Sequence, residues 1–365
     1  MTTRAPSALG PLEALARRAV TQPIGAPVPS DDEHFFAKKG VLKLAWRMLR
    51  RRAELAASGQ KPLLVGRIDP AWQRAIWFHA EAPQIGDALM DLAPRSLLAE
   101  RGIVVDLVAP PATAALFLGD RWLGRVGDDE GAIDVARYDF AIADSNGWKA
   151  LAAKRVHAAR LPWVSIHGDY LAYDYQRGLF ATRRLAALLG TTLDDAAERT
   201  HARQKLAIGD EPLPRREAPA RIAIALGGVR AERSYHHWPA VARGLAQRGW
   251  TRFALLGSGN AKAAASEVRA ALAGADVLDL VACTDLHGAQ RAMAACAIVV
   301  CADGGLLHLA CTTTTPLLGL FDSSVDPSWR LPVESAGAAL RAPVRDVSAI
   351  GADAVIAKAL EILVS

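Results

Sequence analysis

Cysteine is scarce in this chain: four in 365 residues, at Cys283, Cys296, Cys301 and Cys311. None is spaced as a C-x-x-C pair, and three lie in apolar stretches, where a small buried thiol is the ordinary role. A disulfide-stapled scaffold is excluded, and a metal site is disfavoured. Long apolar runs are missing as well. No stretch of about 20 apolar residues is available to span a bilayer. The first 30 residues carry no continuous apolar segment followed by a cleavage site, so no signal peptide is expected and a reducing cytoplasm is the expected setting. Neither sign of charge dominates: Lys and Arg number 43, Asp and Glu 38, for a net charge of +5. With the arginines scattered, that balance does not call for nucleic acid; it suits an anionic substrate or an anionic membrane face. Neither half has G-x-G-x-x-G after its first strand, which argues against a dinucleotide-dependent oxidoreductase.

What is present is a globular composition, 51% hydrophobic and 22% charged, in a chain long enough for two domains. The most informative stretch is 297–321, AIVVCADGGLLHLACTTTTPLLGLF. An apolar strand at 298–300 breaks at Asp303-Gly304-Gly305, a helix starts at Leu306, and a second apolar strand covers 316–321. Strand, glycine turn, helix and strand make one βαβ crossover with its turn at the carboxyl edge of a parallel sheet, where such sheets bind ligands. Two glycines let backbone approach a ligand, and the first amides of a helix attract phosphate. His308, one turn in, would add a hydrogen bond or a positive charge. Taken alone, the turn fits an anion cradle and an ordinary tight turn with a core-facing histidine equally well.

Residues 1–35 read as poorly ordered apart from a short helix over 11–20. Residues 37–57 follow as a basic amphipathic helix, with Val41, Leu44, Ala45, Met48 and Leu49 at helical spacing against Lys43, Arg47, Arg50 and Arg51. It would either rest on an anionic membrane surface or pack on the first domain, and packing is the favoured reading. Strands are expected at 62–68, 75–78, 103–108, 140–143 and 163–166, with helices at 87–101, 112–118 and 179–189. The proline-rich stretch 211–219, EPLPRREAP, reads as a linker. A second alternating series follows, with strands at 222–226, 253–256, 277–280, 298–300 and 317–320. Helices lie near 237–248, 261–273 and 286–296, and a final helix covers 352–364. The expected organisation is an extension (1–60), a Rossmann-like domain (61–211), a second one (220–345) and a C-terminal helix (346–365) that would cross back to the first.

Three motifs in order resemble those of the ADP-heptose:lipopolysaccharide heptosyltransferases, glycosyltransferase family 9. Asp303-Gly304-Gly305-Leu306-Leu307-His308-Leu309-Ala310 is similar to D-S/T-G-x-x-H-x-A. Ile85-Gly86-Asp87 is similar to the family's N-terminal I-G-D, and His237-Trp238-Pro239 to its K-x-W-P element. The resemblance spans about residues 74–345. It implies an α/β, GT-B architecture: two Rossmann-like, doubly wound domains facing across a cleft, the acceptor on the first and a nucleotide-sugar donor on the second. It further implies an inverting, metal-independent glycosyltransferase with no cofactor beyond its donor, ADP-heptose, and a glycan or glycolipid acceptor such as lipopolysaccharide core. Two alternatives are a protein O-heptosyltransferase and a non-catalytic sugar-nucleotide or glycan-binding subunit.

By that resemblance Asp87 would be the base for the acceptor hydroxyl, where the residues alone would make it an N-cap of the helix starting there; Asp91, one turn on, is its rival, with a solvated face as the favoured reading. Gly304, Gly305 and His308 would meet the leaving diphosphate, and Asp303 would cap the turn. The family's lysine, two residues before the tryptophan, is replaced by His236, so Arg230 or Arg233 would supply the cation. Gly227 and Gly228 would let the donor approach, and base and ribose would lie along Gly257, Ser258 and Asn260. Asp322 and Asp326, with Trp329, would border the sugar pocket or lie in a solvated loop. On the acceptor side His167, Asp169 and Tyr170 suit a sugar, as does Tyr173, and Arg67, Lys154 and Arg155 would meet acceptor phosphates or be plain surface residues. Localisation is expected to be cytoplasmic, with peripheral contact on the inner membrane face as the alternative for the basic helix.

Overall fold

A computed structural model describes residues 10–80, 84–128, 133–209, 211–214, 216, 220–228, 230–332 and 338–364. The chain forms two compact units. The first comprises Met1–Pro83 and Met90–Ala202, the second Gln84–Leu89 and Arg203–Ser365.

The first unit opens with three helices, α1 (Gly10–Arg17), α2 (Asp32–Lys39) and α3 (Val41–Ala57). From residue 10 onward the extension is thus folded, where the composition of 1–35 suggested little order beyond a short helix; residues 1–9 lie outside the described residues. Ala16, Val20, Phe35, Phe36, Leu44 and Met48 pack with Tyr170, Tyr175, Leu179 and Phe180 in one buried cluster. Aromatic side chains at widely separated positions, not local periodicity, hold it together. Gly40 makes the helix expected over 37–57 start late, at Val41, while the far end of that helix falls where expected. The glycine's φ of 76° separates α2 from α3.

The alternating part follows: β1 (Arg74–Phe78), α4 (Ile85–Asp91), α5 (Arg95–Glu100), β2 (Val104–Val108), α6 (Pro111–Phe117), β3 (Val126–Gly127), β4 (Phe140–Ala143), α7 (Trp148–Ala158), β5 (Trp163–Ser165), α8 (Arg177–Leu189) and α9 (Asp195–Ala202). The strands are parallel in the order β3-β2-β1-β4-β5, a doubly wound sheet whose direction of winding reverses between β1 and β4. Residues 62–68 do not form the expected strand. A 3-10 turn at Lys61–Leu63 is followed by a single bridge from Leu64 to Trp163. The helix expected over 87–101 is two helices, because Pro94, with no N–H to donate, starts a new one.

The second unit contains β6 (Ile222–Ala225), α10 (Trp238–Ala246), β7 (Arg252–Leu256), α11 (Lys262–Ala271), β8 (Asp276–Asp279), α12 (Leu286–Ala294), β9 (Ile298–Ala302), α13 (Gly305–Ala310), β10 (Leu317–Phe321), β11 (Ala338–Arg341) and α14 (Ala352–Val364). Its six parallel strands run β11-β10-β9-β6-β7-β8, with the reversal between β6 and β9. The central strands β6, β9 and β10 are buried along their whole length, as parallel strands covered on both faces must be. α14 does not leave this unit. Val355, Ile356 and Ala359 join the cluster of β6, β7, β9 and α10, so the expected crossing back is replaced by packing at home. Of the proposed linker 211–219, residues 215 and 217–219 lie outside the described residues. No helix among the described residues is long and apolar enough to cross a membrane. Cys296, Cys301 and Cys311 are buried free thiols, and burial pushes the Cys311 thiol up to about 12.

Candidate functional site

The carboxyl ends of β6 and β9 flank the switch point of the second sheet. β6 runs into Leu226-Gly227-Gly228, and β9 into Asp303-Gly304-Gly305. Gly227 has φ 92°, and a Cβ on Gly228 would stand 2.8 Å from Ser234 Oγ. Both positions therefore require glycine, and the backbone stays bare there. Gly257 is as confined: a Cβ would lie 2.6 Å from that of Ala261. Ser258 Oγ donates to Asn260 Oδ1 at 2.7 Å, and Asn260 Nδ2 donates to the Gly228 carbonyl at 3.1 Å. These two side chains brace the two strand-end turns against each other.

Asp303 does not cap α13. The N-cap is Gly304, and no side chain bonds to it. Asp303 instead sits buried with its Oδ2 3.1 Å from Arg233 Nη1, while Arg233 Nε stands 4.0 Å from Asp322 Oδ2. Arg233 is therefore held between two buried carboxylates, and its charge is already compensated. Asp322 is fixed in turn by Ser324, whose N–H donates to its Oδ1 at 2.6 Å. Arg230 and His236 are exposed; the backbone N–H of His236 donates to Ser348 Oγ at 3.1 Å. α13 has six residues, so the leading amides of its turn, more than a helix dipole, are what it offers an anion.

His308 is buried and neutral. Gln204 Nε2 donates to the Arg330 carbonyl at 2.9 Å, which turns Gln204 Oε1 toward His308 Nδ1, 3.0 Å away. Nδ1 must then carry the hydrogen, and Nε2 presents a lone pair. Burial lowers the pKa to about 4, with Arg330 and Arg233 acting the same way and Asp303 and Asp87 opposing. Of the two roles expected of His308, a hydrogen bond or a positive charge, burial disfavours the second. An oxyanion arriving beside it would have to bring a proton onto Nε2.

Residues 84–89 belong to this second unit. A Cβ on Gly86 would fall 2.3 Å from His308 Cδ2, and one on Gly305 would fall 2.9 Å from Ile85 Cδ1. Two glycines thus permit the first turn of α4 to lie directly on α13. Asp87, half-buried in that turn, raises the proton affinity of His308 through space. Among the described residues no group of three or more His, Cys, Asp or Glu is placed to hold a metal ion.

Residues 180–345 match the model of glycosyltransferase family 9 (heptosyltransferase). The matched stretch holds the glycine turns, Arg233, Asp303 and His308, but not the residues of α4. No curated protein matches the chain by sequence. Among solved structures, a glycosyl transferase family 9 protein of Veillonella parvula superposes with TM-score 0.61 at 11% identity, over 82% of this chain and 99% of that one. The ADP-heptose lipopolysaccharide heptosyltransferase II of E. coli gives TM-score 0.59 at 18% identity, over 80% and 98% of the two chains. E. coli heptosyltransferase WaaC with ADP-2-deoxy-2-fluoro heptose gives 0.57 at 20% identity, over 79% and 99%. At such identities the likeness establishes the fold: this chain has the two Rossmann-like lobes of a GT-B protein.

In the first lobe the family-based acceptor residues are differently placed from one another. His167 is buried, its Nδ1 3.1 Å from the Tyr175 hydroxyl and its Nε2 3.4 Å from Asp91 Oδ1. Asp169 is half-buried and accepts from Asn146 Nδ2 at 2.9 Å. Tyr170 is in the core cluster of the extension, its hydroxyl donating to Asp32, so it serves packing there. Tyr173 is exposed, its ring edge-on to Phe35. Asp91 is not solvated. It is buried against Arg177, whose Nε donates to Oδ1 at 2.9 Å; burial alone would raise its pKa, but Arg177 and His167 hold it well below the ordinary carboxylate range. Lys154 is no surface cation either. It is buried, with Nζ 2.5 Å from Gln60 Oε1, and burial lowers its pKa to about 8.

Two features were not anticipated. At the switch point of the first sheet, His79 Nδ1 meets Asp144 Oδ1 at 2.9 Å, and Asp144 Oδ2 accepts from the Ala80 N–H at 2.9 Å. Burial opposes charge on His79, and Asp144 more than offsets it, so its pKa is raised. Each residue directly follows a strand, which is the signal available in the sequence. Gln204, which fixes the tautomer of His308, belongs to no motif.

Proposed function

We propose that this chain is an inverting family 9 glycosyltransferase that moves heptose from ADP-heptose to a bacterial surface glycan such as lipopolysaccharide core. The observation that carries the reading is the seating of Ile85-Gly86-Asp87 directly on Gly305 and His308, within the lobe that matches the family. In that reading the Asp87 carboxylate takes the proton of an acceptor hydroxyl. The hydroxyl oxygen bonds to the anomeric carbon as the bond from that carbon to the diphosphate oxygen breaks, and ADP leaves with inversion. The amides of Gly304 and Gly305 face the leaving diphosphate, and His308 takes up a proton as that charge arrives.

The decisive experiment measures ADP release and product mass with ADP-heptose and a purified core acceptor. Asp87→Asn should remove turnover by several orders of magnitude while leaving the dissociation constant for ADP within a few-fold; turnover that survives removes Asp87 from the role of base. Two observations favour a second reading, a non-catalytic nucleotide-sugar-binding subunit: Arg233 is already paired with Asp303 and Asp322, and burial disfavours charge on His308. That reading is adopted if ADP binds but ADP-heptose is neither transferred nor slowly hydrolysed.

A further inference from the structure

We infer that α3 is a peripheral docking helix for an anionic phospholipid surface. Its inward face is used up: Leu44, Ala45, Met48 and Leu55 are buried in the first unit. A second apolar stripe remains on the outside. Leu42 is 68% exposed, Trp46 66% and Leu49 46%. Their spacing of four and then three residues aligns them on one line at 3.6 residues per turn, and the exposed Ala53 continues it. Leaving three large apolar side chains in water on one side of a helix that already has a buried side is unfavourable without an occupant.

The charges around the stripe choose the occupant. α3 carries Lys43, Arg47, Arg50, Arg51 and Arg52 against one carboxylate, Glu54. Lys43, Arg47 and Arg50 line one edge of the stripe and Arg52 the other, by the same helical spacing. Arg50 is engaged with Glu54 at 2.8 Å and Arg51 with the Gly168 carbonyl at 3.3 Å, leaving Lys43, Arg47 and Arg52 as the flanking cations. A tryptophan between two leucines, with long basic side chains at the margins, is the composition of a helix lying in the headgroup region, the ring at the boundary and the cations on lipid phosphates. A second copy of the chain on the same stripe would bring these cations face to face.

The test is co-sedimentation of the full chain with vesicles of phosphatidylcholine alone or with phosphatidylglycerol added. Binding is expected only to the phosphatidylglycerol vesicles, and it should weaken as salt is raised. Lys43→Gln and Arg47→Gln should each lower partitioning about fivefold. The variant carrying Leu42→Ser, Trp46→Ser and Leu49→Ser should lose binding by more than about tenfold, with its far-ultraviolet circular dichroism unchanged. No pelleting with phosphatidylglycerol, or equal pelleting by the triple variant, overturns the inference. So does a lipid-free dimer in sedimentation velocity that Trp46→Ser converts to monomer, since the stripe would then belong to self-association.

Discussion

His308 carries two pieces of information in one ring. Its Nδ1 is committed to Gln204, and its burial keeps it neutral until the pH nears 4. A histidine whose folded pKa lies below the unfolded 6.5 stabilises fully above 6.5. That contribution is lost as pH falls through 6.5 toward 4, because the unfolded chain takes the proton first. The difference amounts to something on the order of 3 kcal/mol. Denaturant titrations between pH 8 and pH 4 should therefore show wild type losing that stability relative to His308→Gln. His79, whose raised pKa has the opposite sign, is present in both chains and drops out of the comparison. Parallel curves would mean that His308 titrates in the folded protein as it does in the unfolded chain. Arg233 teaches a related caution. Replacing it by alanine leaves Asp303 and Asp322 buried without their cation, which costs several kcal/mol whether or not a diphosphate ever touches the guanidinium.

At the level of elements, the sheet strands were readable because parallel strands buried on both faces are unbroken apolar runs: β4, β6, β9 and β10 lie where FAIA, IAIA, IVVCA and LLGLF stand. The two-residue β3 and the late β11 carry too little pattern to be seen. The packing of the extension is illegible in the sequence for another reason: Phe35, Phe36, Tyr170 and Tyr175 come together across more than a hundred residues, a relation no window contains. The motifs of the site were legible, but their electrostatics were not. Compensation of Arg233 draws on Asp322 and the tautomer of His308 on Gln204, both far off in sequence, and the neutrality of His308 comes from burial that no motif records. The same holds for α14 on α10, where Gly244 leaves only enough space for Ile356; a Cβ there would sit 2.3 Å from Ile356 Cδ1. Gly244→Ala should destabilise the second unit by about 1–3 kcal/mol through overpacking. Ile356→Val, which shortens the opposing side chain, should recover part of that in a double-mutant cycle. Additive losses would show that the two helices do not share this contact.

For the molecule as a whole, the boundary between units does not follow the boundary along the chain. Residues 84–89 are flanked on both sides by the first unit and packed into the second. Grafting is where this matters. A chimaera that takes residues 203–365 from this chain and everything before them from a relative would set a foreign hexapeptide on Gly305 and His308, where a single methyl at position 86 cannot be accommodated. Such a hybrid should melt at lower temperature than one that also transplants residues 84–89, and equal melting points would show the six residues to be interchangeable. A splice point chosen by sequence divides what folds together, so any exchange of the second unit has to be joined at three places.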